Sequence, residues 1–210
     1  QANALIYLSG IHYEIGGTVK KKINPNKIPV SANDYNITEM EAAATQAMAL
    51  QVWAVFLAAL SGFTETTTDL LLDVFSAVND STITITDFDK TQKWLSEIQE
   101  FSGKTLPLKK VNLNIKTQGD LNRLQNCLLE NAKAATFAII LEPIIHQHML
   151  DDDSIKTVIH KAIAMLEELA DKQISLRDIQ DMLVDEYGLQ LQTVNHQVRL
   201  RQICETDRCS

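Results

Sequence analysis

The chain has 210 residues, 45% of them hydrophobic and 22% charged, with only 7 glycines and 4 prolines. A chain of this length can bury a core without disulfides or a structural metal, and so few helix breakers favour long helices. The net charge of −8 argues against a phosphate-binding surface, because nucleic-acid binders present a positive footprint.

Residues 12–23 read as a hairpin, two β-compatible runs around Gly16-Gly17, the composition of a two-residue turn. Lys20, Lys21 and Lys22 guard its edge against sheet-to-sheet pairing and offer contact to a membrane surface or an acidic partner. A connector with Pro25 and Pro29 closes this unit at residue 32. A helix is expected from Thr38, whose spacing to Glu41 matches a capping box, to Ser61, with Gly62 as its stop. A second helix covers 65–79. Residues 81–86 alternate and are β-branched, which predicts a short strand, and Asp87 then caps a third helix ending at Gly103. Val111, Leu113 and Ile115 predict another short strand.

A fourth helix runs over 119–141 and breaks near Pro143. Asp151, Asp152 and Asp153 form a turn that caps a fifth over 154–171, where Ile155, Ile159, Ala162, Leu166 and Leu169 make one apolar stripe. Ser175 caps a sixth helix, Gly188 stops it after Tyr187, and a seventh carries Leu191, Val194 and Val198. The expected architecture is mostly α, a bundle of six to seven helices with a small β-element made of the N-terminal hairpin and two short strands. It is read as a single domain over 1–210, with hairpin and connector at 1–32, helical core at 33–172 and a C-terminal helical hairpin at 173–210.

The sequence holds no nucleophile elbow, phosphate loop or His-Glu-x-x-His pattern, so no catalytic residue and no cofactor is assigned. His146 and His148, with Asp151 to Asp153 behind them, are the candidate metal ligands by donor chemistry. Positions two apart diverge on a regular helix, and acidic residues already serve as caps, so a solvated turn is the preferred reading. Cys127 falls on a helical stripe and is expected in the core. Cys204 and Cys209 lie in the tail and could pair only in an oxidising compartment. The chain begins at Gln1, which is read as a processed or trimmed product, and its compartment stays open.

Residues 42–64 contain no charged side chain. The segment is long enough to cross a bilayer, but it is rich in alanine and holds Gln46 and Gln51, which suits a central helix enclosed by others. Trp53 and Phe56 would make the contacts if it entered a membrane. Residues 175–202 read as a helix-turn-helix whose second helix presents Gln192, Asn195, Arg199 and Arg201, side chains able to pair with base edges. Asp178, Asp181, Asp185 and Glu186 on the first helix oppose that use.

The run from Lys93 through Trp94 to Glu97, the alternating 111–115 and the later Asn131-Ala132-Lys133 resemble pieces of the needle-tip proteins of bacterial type III secretion. The resemblance implies an extracellular, non-enzymatic assembly subunit, a secreted protein. That family ends in a long coiled-coil helix, from which Gly188 departs here.

These readings favour a non-enzymatic helical protein that interacts with another protein or with a second copy of itself. The alternatives are a membrane-active or needle-tip-like secreted protein using 42–64, a DNA-binding regulator using 175–202, and a hydrolase or metalloenzyme using the region of His146 and His148.

Overall fold

The computed structural model describes residues 24–63, 66–80, 88–195 and 197–203. Among them lie six α-helices: α1 (Ile37–Ser61), α2 (Thr68–Asp80), α3 (Phe88–Ser102), α4 (Gln118–His146), α5 (Asp152–Ala170) and α6 (Leu176–Tyr187). A two-stranded antiparallel sheet follows, β1 (Leu189–Val194) and β2 (Gln197–Gln202). The protein is therefore mostly α with a small β-element, as expected, but the β-element sits at the C-terminal end. The N-terminal hairpin at 12–23, the strand at 81–86 and the cap at Asp87 lie outside the described residues. Residues 104–116 form a strap without regular secondary structure, tied to the chain ahead of α1 by one bridge between Pro29 and Thr117.

The expected seventh helix is this hairpin. Leu191, Val194 and Val198 satisfy helical spacing, but residues 189–202 also alternate with period two. Leu191 lies opposite Leu200 and Gln192 opposite Arg199. Leu189 and Leu191 are buried while Gln190, Arg199 and Arg201 are exposed. The deciding feature is the turn after Val194, where Asn195 takes φ 50°, the left-handed conformation that tight hairpin turns demand.

Two helices form the centre. The first halves of α1 and α4 share a smaller apolar cluster (Ala44 with Leu121, Leu124 and Leu128), and their second halves share the larger one. They therefore run side by side in the same direction. All nine residues of 52–60 are buried, because α2, α4, α5, α6 and the hairpin all touch α1. An apolar helix without a polar face requires such enclosure.

The C-terminal end of α1 leaves carbonyls that need donors, and neighbouring side chains supply them. Thr66 donates its hydroxyl to Leu60 O at 2.8 Å, and Tyr187 donates its own to Ser61 O at 2.9 Å. Lys161 Nζ lies 3.4 Å from Gly62 O. Thr68 in turn donates to the Tyr187 carbonyl at 3.1 Å, so the end of α6 is locked against the α1–α2 joint.

Several caps differ from expectation. The cap of α1 is Asn36, whose Oδ1 accepts from Glu39 N, rather than Thr38. Helix α4 does not break at Pro143 but continues to His146. Pro143 lacks only the N–H that would reach Ile139 O, and it stands in the last turn, where the loss of one bond is tolerable. The helix then closes with His148 at φ 50°, His148 N donating to Ile145 O and Met149 N to Ile144 O, a Schellman ending without glycine. Asp151 caps α5, accepting from the backbone of Asp153 and Ser154, and Ser175 caps α6, both as expected.

Candidate functional site

The histidine pair is split by this geometry. His146 is exposed, with Nε2 3.8 Å from Glu142 Oε1 one turn back, and His148 is the left-handed residue that ends α4. Asp151 is engaged as a cap; its hydrogen bond from the Ser154 hydroxyl, followed by that from the Ser154 backbone, holds its carboxyl below the usual range. Among the described residues no three His, Cys, Asp or Glu side chains are grouped to hold a metal ion.

Gln192 and Arg199 face each other across the hairpin, as do Gln190 and Arg201, and Asn195 occupies the turn. They stand on a strand pair, so the recognition helix that a helix-turn-helix needs does not exist at 189–202. Trp53 and Phe56 are buried. The Trp53 ring lies edge-on to Phe56 at 6.3 Å and tilted against Phe75 at 4.5 Å. Helix α1 is long and apolar enough to cross a membrane, yet its second half forms the centre of the core. Its first half has Ala42, Ala43 and Ala47 exposed.

An apolar groove lies between α3 and α4. Trp94, Ile98 and Phe101 follow one another at helical spacing on α3, and Ile145 closes the groove from α4. Glu97, Glu142 and His146 stand on its rim, around a volume of about 240 Å³. The stripe is possible because α3 has two apolar directions. Leu95 and Ile98 are buried in the core, while Trp94 and Phe101 are half-buried and border it. The C-terminal end of α3 is fixed by α5: His160 Nε2 lies 2.8 Å from Ser102 O, and a carbonyl only accepts, so that ring nitrogen donates. Lys156 sits 5.2 Å over the Phe101 ring. On the rim Glu97 pairs with Lys93 at 3.6 Å, whereas the nearest such neighbour of Glu142 among the described residues is the His146 ring, an ion pair only when that ring is protonated.

A second, more polar groove of about 190 Å³ lies between the strap and α4, lined by Lys110, Asn112, Asn114, Asp120, Arg123 and Cys127 among others. Cys127 is half-buried here, its thiol facing the carbonyls of Lys109 and Lys110, at the edge of the core and not in it. Asn131 clamps the strap: Lys109 N donates to its Oδ1 at 2.7 Å, and its Nδ2 donates to Lys109 O at 2.8 Å. This copies the paired bonds of a β-bridge.

Comparison with protein-family models, curated proteins and solved structures gives no match. The functional reading therefore rests on geometry. The three pieces that resemble needle-tip proteins fall on α3, the strap and α4, and the middle one is not a strand here.

Sequence reasoning placed Trp94 within the third helix without finding the groove. The available signal was the stripe Trp94, Ile98, Phe101 beside a second stripe through Leu95, more apolar surface than one core contact uses. What the sequence lacked was Ile145, which a break at Pro143 would have removed from the helix.

Proposed function

We propose that this protein is a non-enzymatic interaction subunit that accepts an apolar anchor of a partner protein in the α3–α4 groove. The observation that carries the reading is the apolar floor of Trp94, Ile98, Phe101 and Ile145 bordered by carboxylates. Protein recognition concentrates its energy in such places, where a large side chain fills a pocket and the rim excludes water. The volume suits one or two anchor side chains. Glu142 favours a partner that carries Lys or Arg about one helical turn from the anchor, and the Trp94 ring can receive the same cation over its face. An amphipathic helix laid in the groove has this spacing.

A display selection tests the reading. Random twelve-residue peptides are selected on the full chain and counter-selected on Ile145→Glu, which puts a charge into the floor. The expected result is an enriched set with one aromatic or aliphatic anchor flanked by Lys or Arg. Enrichment of sequences that bind Ile145→Glu equally well refutes the groove as the site.

A further inference from the structure

The charge of this chain is segregated. Residues 15–33 and 103–119 contain eight of its 19 basic residues and none of its 27 acids. All eight are lysines, and neither stretch contains Arg or an aromatic residue. The fold brings the described parts of these stretches together. Pro29 bridges Thr117, Val30 N donates to Lys116 O at 3.1 Å, and Gln118 N donates to Ile28 O at 2.8 Å. A side chain at Gly119 would lie 2.9 Å from Asn26 O, so the two segments are in close contact.

The five described lysines, Lys27, Lys104, Lys109, Lys110 and Lys116, are all exposed, and among the described residues none forms an ion pair. Among the described residues the exposed large hydrophobics are Ile28 at 46% and Leu113 at 60%, and both fall in the same stretches. The other aliphatic residues of the strap are engaged: Leu106 and Leu108 border the larger core cluster, Val111 and Ile115 the smaller. Leu113 alone points away. Of the adjoining exposed residues of α4, Asn122, Gln125 and Asn126 are uncharged and Arg123 is paired with Asp120, so they add no net acid. Of the flanking acids, Asp34 accepts from Ser31 N and Asp120 is bound to Thr117 and Arg123. Glu39 and Glu41, exposed on the first turns of α1, mark the border of the face.

We propose that this face, built from Lys27, Ile28, Lys109, Lys110, Leu113 and Lys116, docks the protein peripherally on an anionic lipid surface. The side-chain chemistry selects that occupant. Lysine is depleted at protein interfaces, where Arg and aromatic residues are enriched. Single-stranded nucleic acid is held by aromatic stacking, which neither stretch can provide. A fluid layer of anionic headgroups needs no fixed bidentate geometry, only point charges on long stems and an aliphatic side chain that enters the acyl boundary. The docking does not involve insertion of α1 and does not depend on the α3–α4 groove.

Flotation of the full chain with vesicles tests this. Pure phosphatidylcholine is compared with phosphatidylcholine containing about 30% phosphatidylserine, at about 50 and about 300 mM salt. The expected result is binding to the anionic vesicles alone, weakening with salt. Each lysine lost should lower the partition about five-fold, so Lys109→Glu/Lys110→Glu/Lys116→Glu should lose at least about a hundred-fold. Leu113→Ser should lose several-fold while the salt dependence stays. All four positions are exposed, and an unchanged helical circular dichroism spectrum verifies that the variants fold. A chain of net charge −8 that ignores anionic vesicles overturns the proposal, as does equal binding by the triple variant. Tighter lysine-dependent binding to polyglutamate or to a single-stranded oligonucleotide than to vesicles also overturns it, and reassigns the face to an acidic protein or to nucleic acid.

Discussion

Leu166 tests how the helices are held together. It lies in the middle of the α5 stripe with 2% of its surface exposed, in the same cluster as the buried second halves of α1 and α4. Leu166→Ala deletes three carbon atoms, worth about 2.4 kcal/mol at about 0.8 kcal/mol per buried methylene. The cavity left behind adds to this wherever neighbours fail to close it. Leu→Ala changes at enclosed sites span about 2.7–5 kcal/mol, and the interleaved Ile159, Ala162 and Ile163 leave α5 little room to move, so a loss of about 3–4 kcal/mol is expected. For a chain of this size that lowers Tm by about 6–16 °C. Leu113→Ala is the control, since a leucine 60% exposed should change stability by less than about 0.5 kcal/mol. Urea denaturation followed by circular dichroism gives both values, with an unchanged m-value showing that the denatured state is the same. Equal, small losses in the two variants would mean that the stripe of α5 does not face the core.

Other substitutions report on local features. Thr136 is 5% exposed and its Oγ1 has no hydrogen-bond partner among the described residues, so Thr136→Val should raise stability by about 1 kcal/mol in thermal denaturation; a comparable loss would reveal a bond to that hydroxyl. His148 ends α4 with φ 50°, so His148→Gly should stabilise by about 1 kcal/mol, and a decrease in urea midpoint would show that the imidazole has a role beyond the turn. The carboxyls of Asp120, Asp151 and Asp178 are lowered chiefly by hydrogen bonds from the hydroxyls of Thr117, Ser154 and Ser175, Asp120 to about 2. Their folded values lie below the unfolded one near 3.9. The stability they give is thus complete above about pH 5 and lost as pH falls toward 2. The urea midpoint should decline over that window, and Asp120→Asn should flatten the decline; an identical slope in the variant would show that this cap titrates as in the unfolded chain.

The sequence was most legible where one period acts alone. The stripe from Ile155 to Leu169, the caps at Asp151 and Ser175 and the stop at Gly188 all depend on residues a few positions apart. It misled where two periods coincide: Leu191, Val194 and Val198 fit a helix, and Leu189, Leu191, Val198 and Leu200 fit a hairpin. The left-handed Asn195 decides between them, and at positions that adopt that conformation asparagine is a weaker signal than glycine. Pro143 misled for a related reason, because the cost of proline depends on how many turns remain beyond it. The candidate site was not legible, since a groove is a relation between helices: Trp94 and Ile145 are 51 positions apart, and only the packing of α3 on α4 brings them together. The juxtaposition of Ile28 with Lys116 was hidden likewise, because the separate halves of the chain are each acidic.

The groove can be tested directly through Trp94. In a Trp53→Phe background the emission comes from Trp94 alone, half-buried in the groove wall. Titration with an amphipathic helical peptide of leucines and lysines should shift that emission to the blue with saturation, as the anchor excludes water from the indole. Ile145→Glu should weaken the affinity by about thirty-fold or more, the loss of a hot-spot contact. A peptide that binds the protein without moving Trp94 emission, or binds Ile145→Glu as tightly, would contradict the account.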